Sequence, residues 1–361
     1  MTPSGGRLPD PAFWAGRRVL VTGHTGFKGS WLTAWLQGLG ATVMGVALPG
    51  APTAPSLWDQ LALDGVEDLR ADIAGDAWQE AVRRFSPEVV LHLAAQSLVS
   101  VGHAEPARTF EANVLGTVRV LDALDGLGDL VAALIITTDK VYEPSQPPPH
   151  SEAHHLGGAD PYSASKAAAE IAVRAWPRLV APCATARAGN VIGGGDWAAH
   201  RLLPDLVRAW SGRVPVVLRN PFGVRPWQHV LEPLRGYLLY AEALASGAPV
   251  PSALNFGPAE SQSVPVGELV RFAADQWQRL GGDLPEPRWT ESREVQFNET
   301  AELTLDSSLA AHELGWASVF SWRDAVAMTL EWYAGVLAGT SAATLVRAQL
   351  DSYGAHLGAF R

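Results

Sequence analysis

Two kinds of apolar segment alternate along the first half of the chain. A short run rich in β-branched residues, Arg18–Thr22, has the length of a buried strand, and the next apolar residues, Trp31 to Leu36, recur at helical spacing. The same alternation predicts strands at 42–48, 88–93 and 133–138, with a crossover helix over 110–121. Strands alternating with helices form a parallel sheet covered on both faces, so an α/β, doubly wound fold is predicted.

The alternation ends near residue 190, where short apolar runs and Pro-rich turns replace it. We therefore predict a first domain at 13–188 and a smaller mixed α/β lobe at 189–340, with terminal extensions at 1–12 and 341–361. The boundary is soft, because 214–218 and 254–257 have strand character suited to either part, and about 223–258 are expected to return to the first domain. An amphipathic helix is predicted at 321–337.

Charge and composition narrow the class of protein. The net charge is −10, from 27 Lys and Arg against 37 Asp and Glu, which argues against a general nucleic-acid binder. Cys183 is the single cysteine, so no internal disulfide forms. The sequence has neither an apolar leader nor a run of about 20 apolar residues, and a cytoplasmic protein is expected.

A glycine-rich loop joins the first strand to the first long helix. Gly23, Gly26 and Gly29 are spaced Gly-x-x-Gly-x-x-Gly, which is typical of the pyrophosphate-binding turn of a Rossmann domain. The alternative is a plain tight turn. Thr25, Phe27 and Lys28 share the loop, and Lys28 is either a phosphate contact or an ordinary solvated lysine.

The sequence leaves the choice between NAD and NADP open. The second strand ends Ala47-Leu48-Pro49, with neither the carboxylate that binds an adenosine ribose nor an arginine for its phosphate. Asp72 and Ile73 are candidates for the adenine edge, and a solvated loop aspartate is an equal alternative.

Tyr162 and Lys166 are spaced i, i+4, which places a phenol and an ammonium on one helical face. The ammonium is expected to lower the phenol pKa from about 10 and to make Tyr162 a base near neutral pH. Tyr-x-x-x-Lys often arises by chance, but here it accompanies the glycine loop and Thr138 at a strand end.

The glycine loop and the Tyr-x-x-x-Lys pair, in this order, resemble the extended short-chain dehydrogenase/reductase superfamily. Its members bind NAD(P) and mostly act on nucleotide-sugars. Longer stretches are similar to the CDP-glucose 4,6-dehydratase family, over 21–31, 92–96, 138–140, 187–197, 225–233 and 255–258. The resemblance, from about Phe13 to Trp332, implies an NAD-dependent hydro-lyase that converts CDP-D-glucose to CDP-4-dehydro-6-deoxy-D-glucose.

The resemblance also implies catalytic roles. Tyr162 takes the proton of the sugar 4-hydroxyl while hydride passes from C4 to NAD, Lys140 removes the C5 proton, and Asp139 protonates the departing C6 oxygen. Elimination requires one base and one acid because a C4 ketone makes the C5 proton acidic. Consecutive strand residues point to opposite faces, so Asp139 and Lys140 reach one sugar only if the chain leaves strand geometry. The alternative is a solvated ion pair.

The remaining site residues also follow from the resemblance. Further cofactor contacts are expected at Leu93, Ala94, Ala95, Gln96 and Asn113. Substrate contacts are expected at Gln96, Asn190, Arg201, Leu202, Arg219 and Arg225. Arg225 would grip the diphosphate through its planar fork of donors, and a surface arginine is the alternative. Family members pair through two helices, here 108–124 and 163–175, which implies a homodimer.

Departures from the family pattern leave the substrate in doubt. They lie at Ser100, Gly102, His103 and Ala164. A nucleotide-sugar 4-epimerase would share Tyr162 and Lys166 but would not need Asp139 and Lys140, and a silent NAD-binding homologue is a further alternative. His154 and His155 have no nearby set of acids or thiolates, so no metal site is predicted.

Overall fold

The computed structural model describes residues 6–176, 179, 181–218, 220–259, 262–281, 288–291 and 303–358. Its strands are β1 Arg18–Thr22, β2 Thr42–Ala47, β3 Glu67–Arg70, β4 Val89–His92, β5 Ala132–Ile136, β6 Cys183–Arg187, β7 Val191–Ile192, β8 Val216–Leu218, β9 Val224–Pro226, β10 Gln228–His229, β11 Ala253–Asn255, β12 Ser263–Pro265 and β13 Trp289–Glu291. Arg219, expected to contact substrate, lies outside the described residues.

The α-helices are α1 Pro11–Trp14, α2 Phe27–Gly38, α3 Leu57–Leu61, α4 Gln79–Phe85, α5 Val99–Ala104, α6 Pro106–Phe110, α7 Gly116–Leu124, α8 Pro161–Ala175, α9 Leu202–Ser211, α10 Leu231–Ala245, α11 Val266–Arg279, α12 Ser308–Leu314, α13 Trp322–Leu337 and α14 Ala342–Gly358. A π-helical turn, Glu111–Leu115, joins α6 to α7, so the predicted crossover helix consists of three pieces. A short 3₁₀ turn, Asp139–Val141, follows β5.

Seven parallel strands form the main sheet in the order β11-β6-β5-β4-β1-β2-β3. The predicted α/β, doubly wound fold is confirmed. Strand order reverses between β1 and β4, and in such sheets ligands bind beyond the carboxyl ends of the strands at this point.

The first strand is buried on both faces. Val19 and Val21 belong to one hydrophobic cluster and Leu20 to another on the opposite side of the sheet, and all three side chains are fully buried. This arrangement explains why β1 has a continuous apolar run rather than an alternating one.

The second half of the chain adds three small two-stranded sheets, β7 with β10, β9 with β12 and β8 with β13. β11 instead pairs with β6 at the edge of the main sheet. Helix α13 begins with a capping box between Ser321 and Asp324. Helix α14, in the region expected to be a terminal extension, buries Val346, Tyr353 and Leu357 against the rest of the fold. Among the residues described, no helix has the length and apolar character needed to cross a membrane.

Candidate active site

The loop between β1 and α2 forms a cradle of closely approaching backbone. Gly23 has a φ of +74°, and a Cβ there would lie 2.7 Å from the amide nitrogen of Ala94. A Cβ on Gly29 would lie 2.1 Å from the carbonyl oxygen of Gly23. Gly26 is the N-cap of α2 and supplies no capping side chain. The cradle therefore fits a dinucleotide pyrophosphate at the positive end of the helix.

Beyond the cradle, β3 carries an acidic side chain, Asp68, opposite Gly45 of β2. Asp68 accepts hydrogen bonds from buried His24 at 2.9 Å and from Arg70 Nε at 2.6 Å. The exposed Asp72 caps its own turn by accepting from the Ala74 amide, and Ile73 is buried against Gly116. No sequence pattern pointed to Asp68, because only the register of β3 against β2 brings its side chain to His24.

Helix α8 presents Tyr162 and Lys166 to the carboxyl end of β5. Asp160 caps the helix by accepting from the amides of Tyr162 and Ser163, and Lys166 Nζ donates to the carbonyl oxygen of Ile136 at 2.9 Å. Both side chains are more than nine-tenths buried. The two residues predicted from the i, i+4 spacing thus lie together at the sheet edge.

The expected lowering of the Tyr162 pKa by Lys166 is wrong for the chain without ligands. Burial raises the pKa of Tyr162 to about 12; Asp139 also raises it, whereas a hydrogen bond with Thr138 and the charge of Arg201 act in the opposite direction. Burial lowers the pKa of Lys166 to about 8. The reason is physical: removal from water disfavours the charged form of each group more strongly than their neighbours favour it.

The turn after β5 holds Asp139 and Lys140. Strand geometry ends at Ile136, and the Asp139–Val141 segment is a 3₁₀ turn. The Thr138 side chain caps this turn by accepting a hydrogen bond from the Lys140 amide. Thr138 Oγ1 also donates to Asp139 Oδ1 at 2.9 Å. Lys140 is half-buried. The chain therefore leaves strand geometry before Asp139 and Lys140, which is the condition for both side chains to reach one sugar.

The Asp139 carboxyl is buried, with 1% of the residue exposed. Its Oδ2 has no hydrogen-bond partner within the described part of the chain. A Cβ on Gly189 would lie 1.8 Å from this oxygen, so only glycine leaves room for the carboxyl group. An unsatisfied buried oxygen is costly and points to a ligand that completes its hydrogen bonds.

Cationic side chains converge on the same cleft. Lys28 Nζ donates to Tyr237 Oη at 3.0 Å, so Lys28 is not an ordinary solvated lysine. Burial, with the charges of Lys166 and Arg201, lowers the pKa of Lys28 to about 7, while Asp139 opposes the shift. Arg201 pairs with Asp196 at 2.8 Å. This gathering of positive charge suits an anionic ligand, although the whole chain is acidic.

The glycine cradle and the Tyr162–Lys166 pair both lie in a region that matches a known protein family. The model of the NAD dependent epimerase/dehydratase family matches residues 19–257. The chain belongs to the NAD-dependent epimerase/dehydratase family. Its cofactor is NAD, which the sequence predicted only through resemblance.

One relative and two solved structures show how far the likeness to this family extends. The CDP-glucose 4,6-dehydratase of Salmonella typhimurium is 38% identical over 95% of this chain and 98% of its own length. The epimerase Mth375 of Methanothermobacter thermautotrophicus matches with a TM-score of 0.79 and 21% identity over 94% of this chain and 96% of its own. The UDP-glucose 4-epimerase of Brucella ovis, solved with NAD, matches with a TM-score of 0.76 and 22% identity. The match covers 89% of this chain and 99% of the epimerase chain. At this identity the two structures show the shared fold alone.

Two side chains expected to contact ligands in this epimerase/dehydratase site are occupied elsewhere. Gln96 donates through Nε2 to Thr109 Oγ1 at 3.0 Å, and its Oε1 accepts from the Leu98 amide at 2.5 Å. Asn113 Nδ2 donates to the Gln96 carbonyl at 3.0 Å and to Ser165 Oγ at 2.9 Å. The Gln96 side chain therefore ties the segment after β4 to α6, and the Asn113 side chain ties it to α8. The ligand contacts expected of both residues stay predictions.

The other expected contact residues lie on several separate elements. Leu93, Ala94 and Ala95 directly follow β4 and are half-buried, and Leu202 begins α9. Asn190 follows Gly189 in a left-handed conformation, φ +46°, and its buried Nδ2 has no hydrogen-bond partner among the residues described. Arg225 lies on β9 with 8% exposure, and its Nη1 donates to the Val224 carbonyl at 2.7 Å.

Sequence reasoning missed two groups that shape the site, Gly189 and Tyr237. Gly189 lies inside the similar stretch 187–197, but no spacing rule links it to Asp139. Tyr237 lies in the middle of α10, where a fully buried aromatic residue is normally part of the core. Only the packing of α10 against the cradle shows that its hydroxyl faces Lys28.

No group of three or more His, Cys, Asp or Glu side chains in the described ranges is placed to hold a metal ion. His154 lies 3.2 Å from His150, measured between their Nδ1 atoms.

Proposed function

We propose that the chain dehydrates a nucleotide-sugar, with CDP-D-glucose as substrate and CDP-4-dehydro-6-deoxy-D-glucose as product. The observation that carries the proposal is the 3₁₀ turn, which brings Asp139 and Lys140 to the sheet edge where α8 presents Tyr162. The relative with 38% identity is named for the same reaction.

NAD would be held by the glycine cradle of Gly23, Gly26 and Gly29, and there it would supply the hydride acceptor for oxidation at C4 and the hydride donor for reduction at C6. Tyr162 is the base for the 4-hydroxyl proton. Its pKa of about 12 has to fall for this step, and the nearby Thr138 hydroxyl and Arg201 charge act in the required direction. Lys166, with a pKa of about 8, is still largely protonated at neutral pH and adds positive charge beside the cofactor site.

Elimination uses the two residues of the turn. Lys140 removes the C5 proton, and the C5–H electron pair forms the C5=C6 double bond as the C6–O bond breaks. Asp139 donates a proton to the leaving oxygen, which departs as water. When C6 is reduced, Lys140 returns to C5 a proton that exchanges with solvent. The buried Asp139 carboxyl group is suited to this role, because its unsatisfied Oδ2 is available to contact the leaving oxygen.

The diphosphate of the substrate is bound by the cationic side of the cleft. Arg201 and Arg225 are the proposed contacts, with Asn190 offering its unsatisfied amide to the same ligand. Guanidinium groups match phosphate oxygens through two parallel hydrogen bonds. Lys28 is assigned to the cofactor phosphates at the start of α2.

A homodimer in the cytoplasm is part of the same proposal. Phe110, Leu115 and Ile171 are large apolar residues with 40%, 41% and 49% exposure on the helices α6 to α8. A second copy of the chain would cover them, and symmetric dimers are the commonest oligomers. The single cysteine suits a reducing compartment.

Mass spectrometry of the purified protein with NAD and each of CDP-, dTDP-, GDP- and UDP-hexoses tests the proposed reaction. We expect CDP-glucose to lose the mass of one water. Conversion without a change of mass would instead identify a 4-epimerase, which needs Tyr162 but has no use for Asp139 and Lys140. Binding of NAD without conversion of any sugar would identify a silent homologue.

A further inference from the structure

A buried polar network lies directly behind the turn that carries Asp139 and Lys140. Arg187 on β6 donates through Nε to both carboxylate oxygens of Glu170 on α8, at 2.8 and 3.0 Å. Arg187 Nη1 donates to Tyr142 Oη at 2.8 Å, and Tyr142 Oη donates to Asn255 Oδ1 at 2.6 Å. Neither Arg187 nor Glu170 is more than 4% exposed, and Tyr142 is 3% exposed.

The network holds both ends of the turn. Thr137, just before the Thr138 cap, donates through its hydroxyl to Glu170 Oε1 at 2.6 Å. Tyr142 is the first residue after the turn. The residues that flank Asp139 and Lys140 are therefore fixed to the same Arg187–Glu170 pair.

The network also reaches the helix that carries the oxidation chemistry. Glu170 lies on α8 one helical turn after Lys166 and two after Tyr162. The Arg187 guanidinium thus connects the helix of Tyr162 to the turn of Asp139 and Lys140. Buried ion pairs are weak sources of stability, and their best-supported role is to fix one geometry among alternatives.

We propose that Arg187 and Tyr142 are positioning residues, which hold the elimination residues Asp139 and Lys140 in register with Tyr162 and Lys166. The inference rests on the proposed dehydratase function and adds two residues to it. Oxidation at C4 depends on Tyr162 and Lys166 of α8 and on the Thr138 hydroxyl beside Tyr162. Elimination requires in addition that Asp139 and Lys140 are placed correctly against the same sugar.

A second network in the molecule supplies a matched control. Tyr353 on α14 accepts from Arg235 Nε at 2.8 Å and donates to Glu232 Oε2 at 2.8 Å. Its phenol is buried between an arginine and a side-chain oxygen, as that of Tyr142 is. The network of Tyr353 ties α14 to α10 and contacts no part of the Asp139–Val141 turn.

The test compares Tyr142→Phe with Tyr353→Phe in the full-length protein. Each change removes one buried hydroxyl and retains the ring, so both variants should show a similar fall in Tm. For Tyr142→Phe we expect kcat with CDP-glucose to fall about 10- to 100-fold, since small misplacement of catalytic groups costs this much. The KM and the affinity for NAD should stay near their wild-type values.

The decisive readout is the absorbance of NADH during turnover. Tyr142→Phe should accumulate NADH and lose water slowly, because oxidation continues while elimination is impaired; Tyr353→Phe should not. Arg187→Lys keeps the charge but loses the planar guanidinium that bonds Glu170 and Tyr142 together, so this variant should resemble Tyr142→Phe. A Tyr142→Phe enzyme with wild-type kcat, or one that loses NADH formation and water loss in equal measure, would overturn the positioning role.

The result with the wild-type protein distinguishes a failure of the positioning role from a failure of the proposed function. If the wild-type protein removes no water from any nucleotide-sugar, the dehydratase function fails and the positioning role fails with it. If the wild type dehydrates CDP-glucose and Tyr142→Phe behaves like Tyr353→Phe, only the positioning role fails.

Discussion

The glycine cradle and the 3₁₀ turn lie at the same edge of the sheet but are built differently. The cradle is backbone, and its shape follows from close approaches between Gly29, Gly23 and Ala94. The turn depends on side chains, because Thr138 caps it and Gly189 from another strand's loop makes room for Asp139. The cradle is specified mainly by glycines close together in the sequence, whereas the position of Asp139 depends on a side chain beside it and on a glycine from a distant element.

The largest effect is expected from Gly29→Ala. The new Cβ would lie 2.1 Å from the Gly23 carbonyl oxygen, so the loop has to open and NAD binding should be lost, with turnover undetectable. Gly38→Ala in the same helix α2 is the matched control, because a methyl group at this position would have no atom within 4 Å beyond its own stretch of helix. Calorimetric titration with NAD and a thermal melt of each variant provide the measurement.

Comparing these two variants tests whether NAD binding requires the close backbone approach at Gly29. Gly38→Ala should bind NAD as the wild type does. Normal NAD affinity in Gly29→Ala would show that the cradle does not hold the pyrophosphate.

Tyr162→Phe is expected to have the next largest effect. Losing the base should lower kcat by about 10²- to 10⁴-fold, since general base catalysis contributes this much. NAD affinity and Tm should change little, because only the hydroxyl is removed. Tyr240→Phe, which removes another buried hydroxyl on α10, is the control in a steady-state assay. Retained activity in Tyr162→Phe would show that another group takes the 4-hydroxyl proton.

Sequence patterns predicted the backbone part of this molecule well. The strand Arg18–Thr22, the glycine loop and the Tyr162–Lys166 pair follow from periodicity and spacing, which are local properties. The electrostatics of the pair could not be predicted in this way. The pKa of Tyr162 depends on its burial and on Asp139 and Arg201, which come from separate elements.

The smallest effect, about tenfold, is expected at Lys28 and should depend on pH. With a pKa of about 7 in the ligand-free chain, Lys28 is mostly charged at pH 6 and about one-tenth charged at pH 8. Its contribution to NAD affinity should therefore be present below pH 7 and decline above it. Lys28→Met should bind NAD about tenfold more weakly at pH 6, as expected for a lost charge-assisted hydrogen bond.

Lys28→Arg sharpens this test because it keeps its charge at every pH in the range. This variant should bind NAD with an affinity that no longer declines between pH 6 and 8. If the wild type and Lys28→Met show the same pH dependence, then Lys28 does not contact the cofactor phosphates.

The hydrogen-bond partners of the side chains around the cleft were the least predictable part. Gln96 matches the expected motif, yet its side chain is occupied by Leu98 and Thr109 because the turn after β4 folds back on itself. Lys28 could equally have been a solvated lysine, and only its contact with Tyr237 on α10 decides against that alternative. These side-chain contacts depend on packing between distant parts of the chain, which residue spacing does not predict.

The most direct test of the account is the reaction of CDP-glucose in deuterium oxide, followed by mass spectrometry and NMR of the product. We predict that wild-type product lacks one water and carries one solvent deuterium at C5, and that Lys140→Ala accumulates NADH without forming this product. A product of unchanged mass without deuterium at C5, or normal turnover by Lys140→Ala, would contradict the assignment of elimination to the Asp139–Lys140 turn.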